Sequence, residues 1–441
     1  MKIIDVCGFH TMLHFLVKIL FLTLLILIYC EFIIYYFVLL GCSWPQLSKL
    51  EQDFTIQPPK DSTKKPLRVM FIADTHLICS YKEHSFNKLR REWQMYRSFQ
   101  SAQFLFEPHI VFFLGDVTDG GQLCSDDEWN KTIERFYSLF STSNDTRIYV
   151  LPGNHDIGFH YEVTDGHLKR FEHSFQAPHV RLLTIDDDKI HFILINSIAF
   201  EGDQCRLCQR AENELNEVVN DLKRTGAWTK PILLSHFPLY RMNDEHCSRS
   251  SSSSSLKTTS QFPLLRERFD VLSQEATEHL LTTIQPRLAF SAHMHNYCYI
   301  QHNHTNNKLI PEWTIPSFSW EIRDDPSFML MTITTNNQRV AHCSLPRETT
   351  VFWSYMADNN AHLNELIMSM AKKRGLDKTF CPSEIARQLS SKEDEWRSLM
   401  EPVRLAAAKL IDKGQLVCKQ NGEIVDIRTV KGPIRLQITS D

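Results

Sequence analysis

Five short blocks constrain this 441-residue chain more than any other feature: Asp74-Thr75-His76, Gly115-Asp116-Val117-Thr118-Asp119, Gly153-Asn154-His155-Asp156, Ser235-His236 and His293-Met294-His295. Each sets Asp, Asn or His just after a short apolar run that reads as a strand. A lone Asp or His is ordinarily a turn cap or a satisfied core histidine. An ordered set of five is a different signal. Carboxylate oxygens, an amide oxygen and imidazole nitrogens together suit a pair of manganese-, iron- or zinc-like divalent ions.

The strands alternate with helices. Strand patterns read at Leu67–Ala73, His109–Leu114, Arg147–Leu151, His191–Asn196, Pro231–Leu234 and Arg287–Phe290. Helical patterns read at about Phe86–Phe106, Asp127–Phe140 and Glu212–Arg224. Short β segments follow at Tyr297–Gln301, Lys308–Ile315, Phe328–Thr335 and Val340–Leu345. This is an α/β layered pattern. The main domain reads as 66–347, with a Ser-rich insertion at 248–255 and a linker at 348–359. Residues 360–441 read as helices at Ala361–Arg374, Pro382–Leu389 and Glu395–Lys413, then a hairpin turned at Asn421-Gly422, then a closing strand at Ile434–Thr439. That order is a winged-helix pattern. Its 14 Lys+Arg against 11 Asp+Glu, a balance of +3, is a weak basic signal, less than DNA binding calls for. The whole chain, at net charge -4, does not read as binding nucleic acid along its length.

Residues 19–42 are apolar with Glu31 as their only charge. At 1.5 Å per residue they span roughly 36 Å, enough to cross a bilayer. They are too long for a signal-peptide core and lack a small-residue cleavage site. An N-terminal tail, 1–18, precedes the span and a polar stalk, 43–65, follows it. Lys2 and Lys18 before the span, against Lys49, Lys60, Lys64, Lys65 and Arg68 after it, oppose a lumenal main domain. Sequons at Asn130, Asn144 and Asn303 favour one. In a lumenal domain some of the 12 cysteines are expected to pair. Cys205-x-x-Cys208 has half the spacing of a zinc site but no second CxxC, and nothing thioredoxin-like surrounds it.

In composition and order the five blocks resemble the calcineurin-like metallophosphoesterases. The resemblance implies two mixed sheets packed face to face with helices outside. It also implies Asp74, His76, Asp116 and His295 around one ion, and Asp116, Asn154, His236 and His293 around the other. His155 would protonate the leaving oxygen, and Asp156 would hold that histidine's tautomer. One block departs from the pattern: the usual Gly-His-x-His reads Ala292-His293-Met294-His295 here. If that position needs φ > 0, Ala292 carries strain of order 1 kcal/mol.

Narrower text, Leu89–Met95, Gly153–Glu162, His236–Arg241, Pro316–Trp320 and the span ending FIIYYFVLLGCSWP, is similar to the post-GPI-attachment phosphoesterase (metallophosphoesterase 1) family over about residues 15–350. That resemblance implies a single-pass enzyme of the early secretory pathway (ER, ER exit sites, ER–Golgi intermediate compartment, Golgi) with a lumenal catalytic domain. It would use two divalent ions, Mn2+ foremost, to remove an ethanolamine-phosphate from the second mannose of the GPI anchor, promoting transport of GPI-anchored proteins. Tyr161, Trp320 and Arg323 are candidates for a sugar pocket. The family's second span near the C-terminus is reduced here to the short apolar trace Val351–Met356. Two rival readings are a two-metal phosphoesterase for a phosphoprotein, lipid or nucleotide, and a membrane-anchored regulator with a silent phosphoesterase domain.

Overall fold

The computed structural model describes residues 6–439 except 48–65, 80–84, 144, 186–188, 202–204, 225–229, 249–261, 305–307, 322, 377, 390–399, 421, 429 and 431. It divides into two units, residues 31–348 and residues 1–30 with 349–441. Most of the proposed stalk and Ser-rich insertion, and Asn144, lie outside the described residues.

In the larger unit, one sheet has the order β13-β12-β1-β3-β5. Its strands are β1 (Leu67–Ile72), β3 (Ile110–Leu114), β5 (Arg147–Leu151), β12 (Ser327–Ile333) and β13 (Gln338–Ser344). The second has the order β10-β11-β9-β8-β7-β6. It comprises β6 (Val180–Ile185), β7 (Ile190–Ile195), β8 (Ile232–Leu234), β9 (Leu288–Ser291), β10 (Cys298–His304) and β11 (Lys308–Thr314). A two-residue ladder pairs β2 (Leu77–Ile78) with β4 (Thr118–Asp119). The sheets pack face to face. Phe71 of β1 stacks on Phe290 of β9 at 4.1 Å, and Phe112 of β3 meets Phe192 of β7 at 5.0 Å. Alternate residues of β3 point the other way: Phe113 meets Phe99, Phe136 and Phe140, from α3 (Ser85–Phe106) and from α4 (Asp126–Leu139) with its C-cap. A strand covered on both faces must be apolar at every position, which is why β3 reads as an unbroken run.

Three further helices complete the shell: α6 (Asp165–Phe175), α7 (Arg206–Arg224) and α8 (Gln274–Ile284), with the one-turn α5 (Asn154–Ile157) beside the strand ends. The strand β6 and helices α6 and α8 are additions to the sequence reading. β6 is an edge strand with mostly half-buried residues, so its apolar periodicity is weak. Disulfides join Cys42 to Cys343, Cys79 to Cys124 and Cys247 to Cys298.

The apolar N-terminal segment is not one uniform span. It is helical from α1 (Val6–Ile28), through a π-helical turn at Tyr29–Ile33, to α2 (Ile34–Leu39). Residues 20–39 are long and apolar enough to cross a membrane. From Glu31 onward, however, the segment packs on the rest of the larger unit. Ile34, Tyr35 and Leu39 are buried, Phe32 meets Trp93 edge-on at 5.9 Å, and Glu31 accepts a hydrogen bond from the Trp93 indole at 2.5 Å. The one charge of the stretch therefore has a polar partner, which offsets part of the cost of a carboxylate in an apolar span.

In the smaller unit, α9 (Glu348–Arg374), α10 (Pro382–Leu389) and α11 (Met400–Asp412) adjoin a sheet ordered β15-β14-β16. Its strands are β14 (Leu416–Gln420), β15 (Glu423–Ile424) and β16 (Arg435–Ile438). Leu363, Ile367, Phe380, Ile385, Val403 and Leu436 centre its core. The stretch 348–359, read as a linker, lies within α9. It has no Pro or Gly, and its one asparagine, Asn359, costs a helix only a few tenths of a kcal/mol.

Candidate metal centre

All five blocks meet at the ends of the central strands. Asp74 and His76 follow β1, Asp116 follows β3, Asn154 opens α5 after β5, His236 follows β8, and His293 and His295 follow β9. Five of these seven side chains stand on left-handed backbone: φ is 53° at Asp74, 47° at His76, 48° at Asp116, 67° at His293 and 55° at His295. Such conformations cost of order 1 kcal/mol each for a non-glycine residue, and they cluster where structure over-determines a site. Gly115, at φ 87°, makes the turn into Asp116, and a Cβ there would clash with His236 and the Gly153 amide. Ala292 is not on left-handed backbone. Its methyl is fully buried in the inter-sheet core, so the Gly-to-Ala departure carries no φ strain.

The ligand atoms of Asp74, His76, Asp116 and His295 lie within 4.8 Å of one another, and so do those of Asp116, His236 and His293. Asp116 is common to both clusters. Its Oδ2 is 3.2 Å from His236 Nε2 and 4.0 Å from His76 Nε2. Asn154 Oδ1 is 3.1 Å from His236 Nε2. His76 Nε2 and His295 Nε2 face each other at 3.2 Å. Both carboxylate oxygens of Asp74, and His293 Nδ1, are buried with no hydrogen-bond partner. Buried acceptors left this way are costly unless a cation satisfies them, so the residues present fit divalent metal.

The surroundings orient the rings. His236 donates Nδ1–H to Leu114 O at 2.8 Å, and His293 donates Nε2–H to Phe269 O at 2.7 Å. These bonds turn the other nitrogen of each ring toward the cluster. Burial lowers His76 to about 4, and His293 and His295 each to about 3, which keeps them neutral, the ligand form. Burial raises the Asp74 carboxyl well above the usual range. Burial works the same way on Asp116 but is outweighed there by the His236 charge and hydrogen bond, so Asp116 stays ionised. Burial lowers His236, but the Asp116 charge and hydrogen bond lift it to about 9.

The partner of His155 differs from the sequence expectation. Asp156 does not bond to it. The Asp156 carboxylate instead accepts from the amides of Val117, Thr118 and Gly153 and from the Thr118 hydroxyl, tying α5 to the strand end. Asp119, the last residue of the second block, accepts from His155 Nδ1 at 2.8 Å. That hydrogen bond, against burial and helped by Asp116, raises His155 to about 9. The GDxxD spacing contained this signal: an acid three residues past Asp116 re-enters the site along β4.

Around the site, Phe159 stacks between Tyr161 and Phe237 at 6.3 Å each, and Phe237 meets His293 at 4.5 Å. Tyr161 is 71 % exposed. Trp320 is instead a core residue, buried and donating its indole N–H to Pro346 O. Arg323 is held by Asp325 at 2.7 Å and by Asn296.

Residues 67–297 match the family described as "Calcineurin-like phosphoesterase", and residues 360–439 match "Protein of unknown function (DUF3253)". The chain is 39% identical over 354 residues to Metallophosphoesterase 1 of Danio rerio, covering 77% of this chain and 88% of that protein. To the Xenopus laevis protein of that name it is 40% identical over 354 residues, covering 75% and 84%. To that of Gallus gallus it is 40% identical over 360 residues, covering 78% and 87%. A site of clustered carboxyl groups and imidazoles, on this sheet order and with these relatives, has one reading: the chain belongs to the metallophosphoesterase 1 family of calcineurin-like phosphoesterases, metal-dependent hydrolases of phosphoric esters.

Proposed function

We propose that the protein is a membrane-anchored phosphodiesterase with a lumenal catalytic domain, which removes the ethanolamine-phosphate side group from the second mannose of the GPI anchor. Asp74, His76, Asp116 and His295 hold one ion, and Asp116, Asn154, His236 and His293 hold the other, with Mn2+ as the working metal. Bound there, two divalent cations neutralise the phosphate oxygens and activate water. His155, kept protonated by Asp119, gives its proton to the departing sugar oxygen. A sugar alkoxide is a poor leaving group, so this proton is worth about 10²–10⁴ in rate. The His155–Asp119 pair, 2.8 Å apart beside the metal cluster, is the observation that carries this reading.

Three long-range disulfides and exposed sequon residues Asn130 and Asn303 support a lumenal orientation in the early secretory pathway. The order of the described helices and strands in 360–439 supports a winged-helix-like module of unknown partner, which in a lumenal setting has no DNA to read. The test is complementation of cells deficient in GPI side-group removal, with expression verified. Restored removal supports the substrate assignment. Failure alongside turnover of a generic phosphodiester would leave the chemistry standing and refute the GPI substrate.

A further inference from the structure

The larger unit carries an apolar surface that the chemistry above does not use. From Glu31 on, one side of the N-terminal segment is committed to the unit, with Ile34, Tyr35 and Leu39 buried. The other side is bare. Ile33, Phe37 and Leu40 are spaced four and three apart, so they share one helix face, and they are 45%, 69% and 70% exposed. The bare face does not end with the segment. Phe104 of α3 meets Tyr36 edge-on at 6.2 Å and is itself 71% exposed. Large apolar side chains gathered on one exposed face mark an interaction surface.

The segment is fixed to the unit rather than hung from it. Glu31 accepts from the Trp93 indole, and the Arg97 guanidinium lies over the Phe32 ring at 4.7 Å. The Trp44 indole donates to Phe106 O at 2.9 Å, and its ring lies under the Arg68 guanidinium at 5.4 Å. The Cys42–Cys343 disulfide bonds the end of the segment covalently to β13. These ties reach α3, β1 and β13, and all of them precede residue 48. The length of the stalk read at 43–65 therefore does not set the distance between α2 and the catalytic strands. Lipid is the occupant that the surroundings favour. The bare face continues an apolar stretch, residues 20–39, that is long enough to cross a membrane. It is also fringed by Trp44, Trp93, Arg68 and Arg97, and indole and guanidinium groups of this kind settle at headgroup level.

We propose that the catalytic unit is seated directly on the lipid bilayer through this face, with Phe104 of α3 in the boundary between headgroups and acyl chains beside Ile33, Phe37 and Leu40. The inference rests on the reading of residues 20–39 as a membrane anchor. An apolar helix face lying in that boundary sinks about 5–10 Å into it, which is enough to cover side chains of this size. The ties from Glu31 to Trp44 then act as a mount. The unit does not swing away from the bilayer, and its metal centre keeps one height above the lipid. A phosphodiester carried on a lipid meets the site at that height, whereas a soluble one gains nothing from it.

The test uses the full-length protein in vesicles of phosphatidylcholine and phosphatidylserine, with p-benzoylphenylalanine replacing Phe104, Phe37 or Leu309 one at a time. Crosslinks formed in light are read by mass spectrometry. Lipid adducts are expected at 37 and 104 and not at 309, because Leu309 is also exposed but stands on the second sheet. Adducts at 37 without adducts at 104 overturn the seat and leave the anchor standing. No adduct at either position overturns the anchor reading as well. A crosslink from 104 to a second copy of the chain, or in microsomes to another protein, in place of lipid also overturns the proposal. The crosslinks need no turnover, so failure of the GPI substrate assignment does not touch them. A second variant, Phe104→Glu, puts a charge into the boundary and leaves the core untouched. It is expected to keep wild-type turnover of a soluble p-nitrophenyl diester and to lose several-fold on a phosphodiester carried by vesicle lipid. Equal losses on the two substrates, or no loss on either, count against the seat.

Discussion

Replacing Asp119 by Asn tests the acid half of the reaction at a residue outside the proposed ligand set, whose carboxylate lies within 4.8 Å of a His76 ring nitrogen. Asn keeps an oxygen for the His155 Nδ1–H, so the ring stays where it is while the negative charge is lost. The Asp119 hydrogen bond is the largest influence lifting His155 from 6.5 to about 9. Complete loss of that lift bounds the effect. At pH 8 a group with pKa 9 is about nine-tenths protonated and one with pKa 6.5 about 3% protonated, a limit of about 30-fold in rate, whereas near pH 6 the two differ little. Solvent screens the pair, whose side chains are 41% and 39% exposed. The expected downward movement of the basic limb of kcat/KM is therefore about 1–2 pH units. Bound cations lower both limbs alike, so the separation between wild type and variant is the readout. The sign follows from the role: the protonated ring is the acid, so activity is lost as pH rises through its pKa, and earlier in Asp119→Asn. The assay compares an alkyl phosphodiester, whose leaving oxygen needs the proton, with a p-nitrophenyl diester, whose leaving group does not. Equal losses on both substrates, or a basic limb that does not move, would refute the assignment of His155 as the acid.

Other expectations follow from the same geometry. Asp116→Asn, at the residue shared by both clusters, should abolish turnover and lower metal content, read by elemental analysis of the purified chain. Cellular function retained in this variant without turnover would favour a silent domain. Chelation should lower the melting temperature and added Mn2+ restore it, because a cation satisfies the buried Asp74 oxygens in the folded state alone; an unchanged melting temperature would contradict the site. Ala292→Gly should destabilise the fold by about 1 kcal/mol without tightening metal binding, since the methyl fills core and relieves no strain. Trp93→Phe should cost about 1–3 kcal/mol in detergent-solubilised protein by removing the indole donor from Glu31, and unchanged stability would mean that this contact contributes nothing.

The α/β order, the metal-type residues and the apolar N-terminal segment were all legible along the chain, because a strand buried on both faces and a polar residue at its end leave local marks. Weakly amphipathic pieces such as β6, and the continuation of α9 through 348–359, leave no such mark and were missed. Cysteine pairing is a matter of topology. Cys42 and Cys343 lie 301 residues apart and meet only because residues just past α2 reach the edge strand β13. The choice between two acids shows the division most clearly. Asp119 and Asp156 both belong to the marked blocks, and sequence adjacency favoured Asp156 as the partner of His155. Three backbone amides and a hydroxyl converge on the Asp156 carboxylate and use its lone pairs, whereas β4 returns Asp119 to within 2.8 Å of the ring. Sequence by itself determined which side chains the site contains, since composition at strand ends is local. Only the tertiary structure decided which of them touch, since a hydrogen bond depends on where separate segments meet in space.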